Sequence, residues 1–185
     1  MSTPYPMLQE AVRWAAKRHT GQYRDEDGLP YFLHVAEVIL NLRQYGGVES
    51  ETLLTAAALH DLVEMAAATP EEIEARFGNE VAALVAELTR TEPTEGQIEG
   101  LNRDQIWRLR ADMLLKEIAE MSPDAQTVKL ADRLANLREA LAYKKGKKLA
   151  RYLDHTRAIL KIIPKNRNTG LWQSIQTQIK TAEKN

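Results

Sequence analysis

Apolar residues recur at helical spacing along nearly the whole chain, and no stretch alternates apolar and polar residues as a half-buried strand does. Amphipathic helices fold by packing their apolar faces against one another. The pattern therefore predicts an all-α fold. We find no internal repeat and no segment with the composition of an interdomain linker, so we expect residues 1–185 to form a single domain.

The composition excludes several classes of protein. The 185 residues are enough to bury a core, and the formal net charge of −1 argues against coating of nucleic acid or anionic membranes. The absence of cysteine excludes disulfides, thiolate metal sites and cysteine nucleophiles. No signal peptide is visible, and no apolar stretch reaches the ~20 residues that cross a bilayer. We expect a cytoplasmic protein with no nucleic-acid or membrane partner, and the sequence gives no signal for an oligomeric state.

Residues with known preferences for helix ends divide the pattern into separate helices. Ser50 is suited to an N-cap, and Thr69 followed by Pro70 is typical of a cap with proline at the first helical position. The glycine pair at 46–47 is suited to a C-cap. Residues 91–101 are polar and contain glycine, so we expect a mobile loop there. The predicted helices cover residues 7–19, 31–45, 50–65, 70–78, 79–88, 102–121, 123–143, 147–162 and 171–182.

Four polar residues stand on stretches that the helical pattern assigns to the core. His60 and Asp61 directly follow the apolar segment 55–59. His34 lies on the second predicted helix, and Asp132 interrupts an apolar stripe. A single histidine in a helix is usually structural, and an adjacent His-Asp pair often arises by chance. Together the four form a candidate metal site, because an unpaired charge in a core is costly and imidazole with carboxylate suits manganese, iron or zinc rather than calcium.

Three further polar residues fall on the same helix faces. Glu64 is four residues after His60, where a carboxylate could hold and deprotonate a metal-bound water. Asn136 is four residues after Asp132 and Lys129 three before it, positions suited to donors for a bound phosphate or sugar. A solvated glutamate, a capping asparagine and a surface lysine are the structural alternatives.

These residues belong to a longer, ordered set of short segments. The segments are HTGQYR at 19–24, GLPY at 28–31, His34, ALHDLVE at 58–64, TPEEI at 69–73, FG at 77–78, LT at 88–89 and VKLADRLANL at 128–137. In this order and spacing the chain resembles the HD-domain superfamily, and within it the RelA/SpoT-type (p)ppGpp hydrolase domain and the small stand-alone alarmone hydrolases. An adjacent His-Asp pair alone is weak evidence for this superfamily, whereas the whole ordered set of segments is specific evidence.

The resemblance implies a bundle of about ten helices that holds one divalent metal ion, usually manganese. It implies that a metal-bound water hydrolyses the 3′-pyrophosphate of ppGpp or pppGpp, releasing pyrophosphate and GDP or GTP. The partner is then a small phosphorylated nucleotide. By position in the motifs, the implied metal ligands are His34, His60, Asp61 and Asp132, the implied acid-base group is Glu64, and the implied substrate contacts are Arg24, Lys129 and Asn136.

Three positions depart from the family pattern. Met65 stands where the family has a second acid after the HD pair, and a thioether accepts no proton from water. Turnover is slowed or abolished if both acids are needed, and it survives if Glu64 suffices. Asp25 replaces the basic residue that follows Arg24, and a carboxylate there would repel a polyanionic ligand. Val35 replaces the proline that commonly follows the first histidine.

The departures leave three functions open. The first is a (p)ppGpp 3′-pyrophosphohydrolase. The second is an HD phosphohydrolase that acts on another phosphorylated nucleotide, such as NADPH or a nucleoside phosphate. The third is a nucleotide-binding module that keeps the pocket but has attenuated catalysis. The basic run at 143–148 is typical of a solvated junction between helices, and guidance of an anionic substrate is its alternative function.

Overall fold

The computed structural model describes residues 4–25, 28–65 and 68–183. These residues form eleven α-helices and one 3₁₀-helix, which confirms the predicted all-α fold and is close to the predicted number of helices. No described helix is long and apolar enough to cross a membrane. The helices are α1 (Pro6–Arg18), α2 (Phe32–Gln44), α3 (Glu51–Leu59), α4 (Leu62–Met65), α5 (Pro70–Phe77), α6 (Asn79–Leu88), α7 (Glu95–Ile98), α8 (Arg103–Glu120), α9 (Pro123–Tyr143), α10 (Gly146–Ile162) and α11 (Thr169–Ala182), with the 3₁₀-helix Lys165–Arg167 before α11.

Helix α9 is the central element of the fold. It begins after Ser122, whose hydroxyl accepts a hydrogen bond from the backbone N–H of Ala125 at 3.2 Å, and Pro123 occupies its first turn. Every residue from 125 to 135 is buried. A helix buried on all sides lies inside a bundle, and α9 contacts α2, α3, α6, α10 and α11. The polar residues of this helix therefore lie in the interior of the protein.

Helices α2 and α3 pack beside α9 and also contact each other. Residues 54–59 of α3 are all buried, and the alanines among them are small enough to allow close approach of neighbouring helices. His34 on α2, the residues after α3 and Asp132 on α9 therefore belong to three mutually packed elements. This arrangement gives the predicted ligand residues a common location.

The predicted third helix, over 50–65, is wrong in its second half. Helix α3 ends at Leu59, and the separate helix α4 begins at Leu62. The physical reason lies in His60, whose Nδ1 donates to the carbonyl oxygen of Ala57 at 2.8 Å. In a continuous α-helix that carbonyl would accept a hydrogen bond from the backbone N–H four residues later. The imidazole of His60 therefore competes with the backbone for this acceptor. The break places the His-Asp pair in a turn, where both side chains face the same point.

The predicted loop over 91–101 contains a short helix, so that prediction is also wrong in part. Helix α7 spans Glu95–Ile98. The side chain of Gln97 accepts a hydrogen bond from the backbone N–H of Thr94 at 2.9 Å, which is one half of a capping box. Because no residue of α7 is buried, the apolar periodicity that marks the other helices is missing here.

Candidate metal centre

Two helices and a turn bring the four predicted ligand residues together. His34 comes from α2 and Asp132 from α9, while His60 and Asp61 occupy the turn between α3 and α4. One ligand atom each of His34, His60 and Asp132 lies within 4.8 Å of the other two, and all three side chains are buried. The cluster is therefore compact enough for a single ion.

Asp61 completes this cluster. Its Oδ2 atom lies 3.0 Å from Nε2 of His60 and 3.5 Å from Nε2 of His34. The Oδ1 atom of Asp132 lies 3.4 Å from Nε2 of His34 and 3.9 Å from Nε2 of His60. Both imidazole Nε2 atoms and one oxygen of each carboxylate thus surround a common point. Mixed nitrogen and oxygen donors of this kind are typical of sites for first-row divalent metals.

The hydrogen bonds of His60 leave one of its nitrogens available as a ligand. Because Nδ1 donates to the carbonyl of Ala57, Nε2 carries the lone pair on the neutral ring. This Nε2 atom is buried and makes no hydrogen bond within the described part of the chain, although the carboxylate of Asp61 lies beside it. A buried polar atom without a partner is costly. A cation between the nitrogen and the carboxylates would satisfy it, so the donor set fits a divalent metal ion.

Three further groups hold the two carboxylates in place. The hydroxyl of Tyr31 donates to Oδ2 of Asp61 at 2.7 Å. Nζ of Lys129 lies 3.3 Å from Oδ2 of Asp132, and the amide of Asn136 donates to Oδ1 of the same carboxylate. Groups that surround metal ligands commonly orient them in this way. The structure thus places Lys129 and Asn136 against a candidate ligand, and their contact with substrate stays a prediction.

The residues of the centre alter one another's affinity for protons. Burial lowers the pKa of His60, but the charge and hydrogen bond of Asp61, together with the charge of Asp132, outweigh burial and raise the pKa from 6.5 to about 9. Burial raises the pKa of Asp61, whereas His60 beside it holds that pKa well below its usual range. Burial also raises the pKa of Asp132, but Lys129 holds it well below the usual range. In the metal-free protein at neutral pH, two ionised carboxylates therefore face a protonated imidazole.

The proton on His60 competes with a metal ion for the same nitrogen. We expect the apparent affinity for Mn²⁺ to rise about tenfold per pH unit as the pH approaches the His60 pKa of about 9, with release of one proton. The same shift makes His60 stabilise the metal-free fold below pH 6.5 and lose that contribution as the pH rises towards 9.

Calorimetric titration with Mn²⁺ at about pH 7 and about pH 8, in two buffers of different ionisation enthalpy, measures both affinity and proton release. Glu99→Gln, an exposed acid outside the cluster, provides a control for general electrostatic effects. Equal affinities at the two pH values, without proton release, would contradict the participation of His60.

An open cavity of about 490 Å³ lies against the cluster. This volume falls within the range of small-molecule sites in proteins. Because the acidic side chains around it outnumber the basic ones, binding of a polyanion there needs the added charge of a divalent cation. The acidic side chains are Asp25, Asp61, Glu64, Asp132 and Glu139, and the basic ones are Arg90, Lys129, Arg133 and Lys144.

Glu64 lines the same cavity as Asp61. Its side chain is 23% exposed, one oxygen accepts the backbone N–H of Arg90, and the other oxygen lies 3.9 Å from the Arg90 guanidinium. Burial raises the pKa of Glu64 against the opposing effect of that N–H, and the charge of Asp61 adds to the rise. A carboxylate with a raised pKa is suited to accept a proton near neutral pH. The role of Glu64 in catalysis stays a prediction.

Arg24 lies beside an adjoining cavity of about 240 Å³. Its guanidinium forms a two-point ion pair with Glu139 and donates to the side-chain oxygen of Asn136 at 3.1 Å. The charge of Arg24 is therefore paired within the protein. For the predicted contact with phosphate, the guanidinium would have to bind the phosphate beside Glu139 or in its place. Asp25 and Met65 line the same cavity, where Met65 is 44% exposed.

Comparison with known proteins assigns the centre to a family. A family model described as an HD domain matches residues 11–166. The chain belongs to the HD-domain family. The human guanosine-3′,5′-bis(diphosphate) 3′-pyrophosphohydrolase MESH1 is 36% identical over 140 residues, which cover 75% of this chain and 72% of that protein. A probable guanosine-3′,5′-bis(diphosphate) 3′-pyrophosphohydrolase from Synechocystis sp. is 32% identical over 176 residues, which cover 93% of this chain and 21% of that protein.

Two solved structures share the arrangement of helices. A metazoan ortholog of SpoT, described as hydrolysing ppGpp, matches with a TM-score of 0.83 and 26% identity over 98% of both chains. The protein lmo0812 from Listeria monocytogenes EGD-e matches with a TM-score of 0.63 and 24% identity, covering 84% of this chain and 97% of that one, and this likeness shows the fold alone. The predicted resemblance to RelA/SpoT-type HD domains is confirmed.

Some residues of this HD-domain site were not predicted from the sequence. Tyr31 lies in the GLPY segment, but nothing local indicates that its hydroxyl would bond to Asp61. The pairing of Glu139 with Arg24 joins residues 115 positions apart. Arg90, which holds Glu64, lies 26 positions from it. All three contacts depend on how the helices pack, which the periodicity of a single sequence does not specify.

Proposed function

We propose that this HD-domain protein is a metal-dependent pyrophosphohydrolase that releases pyrophosphate from the 3′ position of ppGpp and pppGpp. The observation that carries the proposal is the convergence of His34, His60, Asp61 and Asp132 at the edge of a cavity of nucleotide size. The names of the relatives at 36% and 32% identity support the choice of substrate.

We infer that the four residues hold Mn²⁺, because this donor set suits manganese and the family resemblance implies it. A divalent ion there supplies Lewis acidity toward phosphoryl oxygens and lowers the pKa of water. Tyr31, Lys129 and Asn136 keep the carboxylates of Asp61 and Asp132 oriented for this purpose.

Glu64 is the proposed general base. In the reaction, a water oxygen forms a bond to the phosphorus next to the ribose, and the bond between that phosphorus and the 3′ oxygen breaks. Glu64 accepts the proton of the water, and the 3′ oxygen of the leaving GDP or GTP takes up a proton. The backbone N–H of Arg90 occupies one oxygen of Glu64 and thereby fixes the direction of the other.

Substitution of Met65, whose side chain is exposed, tests whether a second acid improves catalysis. We expect Met65→Asp to raise kcat by about tenfold or more, because a second carboxylate helps to orient and deprotonate water. Met65→Asn, which has the same shape without the charge, should leave kcat near the wild-type value. Steady-state release of pyrophosphate from ppGpp measures both variants. Equal gains in the two variants, or no gain in either, would remove the missing acid as the limit on turnover.

A second candidate function is hydrolysis of another phosphorylated nucleotide. It is favoured by the ion pair between Arg24 and Glu139 and by Asp25 at the cavity, since these reduce the positive charge available to a highly charged guanosine nucleotide. NADPH and nucleoside phosphates carry the chemistry that such a site would accept. Membership of the HD-domain family is compatible with this candidate as well.

The two candidates are separated by the product released. Purified protein with Mn²⁺ is incubated with ppGpp, NADPH and common nucleotides, and pyrophosphate and orthophosphate are measured separately. His60→Ala protein prepared in the same way serves as the blank. Pyrophosphate from ppGpp alone supports the main proposal. Orthophosphate from another nucleotide, without pyrophosphate from ppGpp, would overturn it in favour of the second candidate.

A further inference from the structure

Arg133 is a buried cation that pairs with no carboxylate among the described residues. The residue is 7% exposed and lines the 490 Å³ cavity. No carboxylate lies within 4.0 Å of its guanidinium in residues 4–25, 28–65 and 68–183, and its Nε atom has no hydrogen-bond partner there. Two other cations of the cavity are paired, Arg90 with Glu92 at 2.5 Å and Lys129 with Asp132 at 3.3 Å. A buried charge that the protein leaves unpaired is costly.

Neutral groups hold this guanidinium in a fixed position. It stacks over the ring of Tyr152 at 4.9 Å, and its Nη2 lies 3.5 Å from Nδ1 of His155. Nε2 of His155 lies 3.3 Å from the carbonyl oxygen of Ala111, which can only accept, so Nδ1 carries the lone pair. Burial, with Arg133 adding to it, lowers the pKa of His155 to about 4, so the ring is neutral at physiological pH. These neutral groups thus orient the charge of Arg133 without neutralising it.

Arg133 and the metal cluster lie on different walls of the same cavity. Successive residues of a helix point about 100° apart. Asp132 faces His34 and His60, on the side of α2 and α3. Arg133 faces Tyr152 and therefore lies on the side of α10. One helix of the bundle thus presents a carboxylate to one end of the cavity and a guanidinium to the other.

We propose that Arg133 binds an anionic group of the nucleotide at the end opposite the one hydrolysed. The site is then selective for nucleotides that carry phosphate at both ends, as ppGpp does, and this inference rests on the proposed function. Guanidinium binds phosphate through charged hydrogen bonds, and Arg133 lines the cavity with a charge that no carboxylate of the described residues neutralises.

Arg138 provides a matched control on the same helix. Its guanidinium also stacks over a tyrosine ring, that of Tyr45 at 5.1 Å, and also donates to a neutral side chain, Asn41, at 2.9 Å. It does not line the cavity that Arg133 lines. Substituting either arginine by glutamine removes one charge and one cation–π contact from α9.

Thermal unfolding separates a binding role from a structural one. A charge kept for a ligand destabilises the ligand-free protein, so we expect the melting temperature of Arg133→Gln to equal or exceed that of the wild type. A structural arginine would give a lower melting temperature on substitution. If Arg133→Gln loses its fold, Arg133→Lys is used instead, because it keeps the charge but loses the two-point geometry.

The decisive experiment compares two substrates. Wild type, Arg133→Gln and Arg138→Gln, each loaded with Mn²⁺, are assayed with ppGpp and with guanosine 3′-diphosphate, which lacks the 5′ phosphates. We expect Arg133→Gln to lower kcat/KM for ppGpp at least tenfold through KM, and to change kcat/KM for guanosine 3′-diphosphate by no more than twofold. Arg138→Gln should match the wild type on both. Metal content, measured by mass spectrometry, should be the same in all three.

Equal losses on both substrates, or no loss on either, would overturn the role of Arg133. If the wild type hydrolyses neither substrate, the proposed function fails, and the same proteins are titrated with ppGpp by calorimetry. If Arg133→Gln then binds ppGpp at least tenfold more weakly than both the wild type and Arg138→Gln, the contact between Arg133 and the anion is supported even though hydrolysis is not. Equal affinities, or no binding to the wild type, would overturn it.

Discussion

Replacing His60 by alanine is expected to remove the metal ion and the turnover together. Substitution of a group that only supports a metal ligand typically costs 10–100-fold in metal affinity, so loss of a direct ligand should cost more than about 100-fold. Nε2 of His60 lies 3.0 Å from the carboxylate of Asp61 and 3.9 Å from that of Asp132, at the point where the four ligand residues meet. Metal content after dialysis against Mn²⁺ and release of pyrophosphate from ppGpp are the two measurements.

Because His60 is 1% exposed, its truncation leaves a cavity that alone lowers stability. Asp132→Asn is the companion variant, since it keeps the shape of the side chain and removes the charged ligand. Asp154→Asn, on the exposed side of α10 and paired with Arg157 at 2.6 Å, is the matched control. Metal retained by both His60→Ala and Asp132→Asn would exclude the proposed centre.

Replacing Glu64 by glutamine is expected to leave the metal and the fold in place while kcat falls by about 10²–10⁴-fold, the usual contribution of a general acid or base. Glutamine keeps the shape of the side chain and an oxygen that accepts the backbone N–H of Arg90. The fall in kcat therefore measures the contribution of the oxygen that accepts the proton. Single-turnover hydrolysis of ppGpp, measured beside metal content, separates the chemical step from binding.

Glu92→Gln is the control for Glu64→Gln. Glu92 forms an ion pair with the same Arg90, at 2.5 Å, but does not line the 490 Å³ cavity. If Glu92→Gln lowers kcat as much as Glu64→Gln, then the position of Arg90 and not the carboxylate limits the reaction. An unchanged kcat in Glu64→Gln would remove Glu64 from the mechanism.

Most helix boundaries could be predicted because they depend on neighbouring residues. Asn79–Leu88 and Pro123–Tyr143 have the predicted limits, and the cap at Thr69 is present, with its hydroxyl accepting the N–H of Glu72. The end of α3 was missed because it depends on a bond of the His60 side chain to the carbonyl of Ala57, which competes with a strongly helical local sequence.

Some residues of the candidate site could be predicted from the sequence and others could not, for the same reason. The four predicted ligands could be located together because all lie on apolar stretches, where a polar residue needs a partner. The environment of Arg24 could not be predicted, since its partner Glu139 comes from the distant α9. For Arg133 the sequence shows only an arginine after Asp132. That neutral groups surround it, with no carboxylate of the described residues in contact, becomes visible only when α10 is packed against α9.

The most direct test of the metal centre is anomalous diffraction from crystals grown with Mn²⁺, recorded on both sides of the manganese absorption edge. We predict one anomalous peak between the Nε2 atoms of His34 and His60 and the carboxylates of Asp61 and Asp132. A map without a peak there, in which these side chains contact only one another, would contradict the metal centre on which the proposed hydrolysis depends.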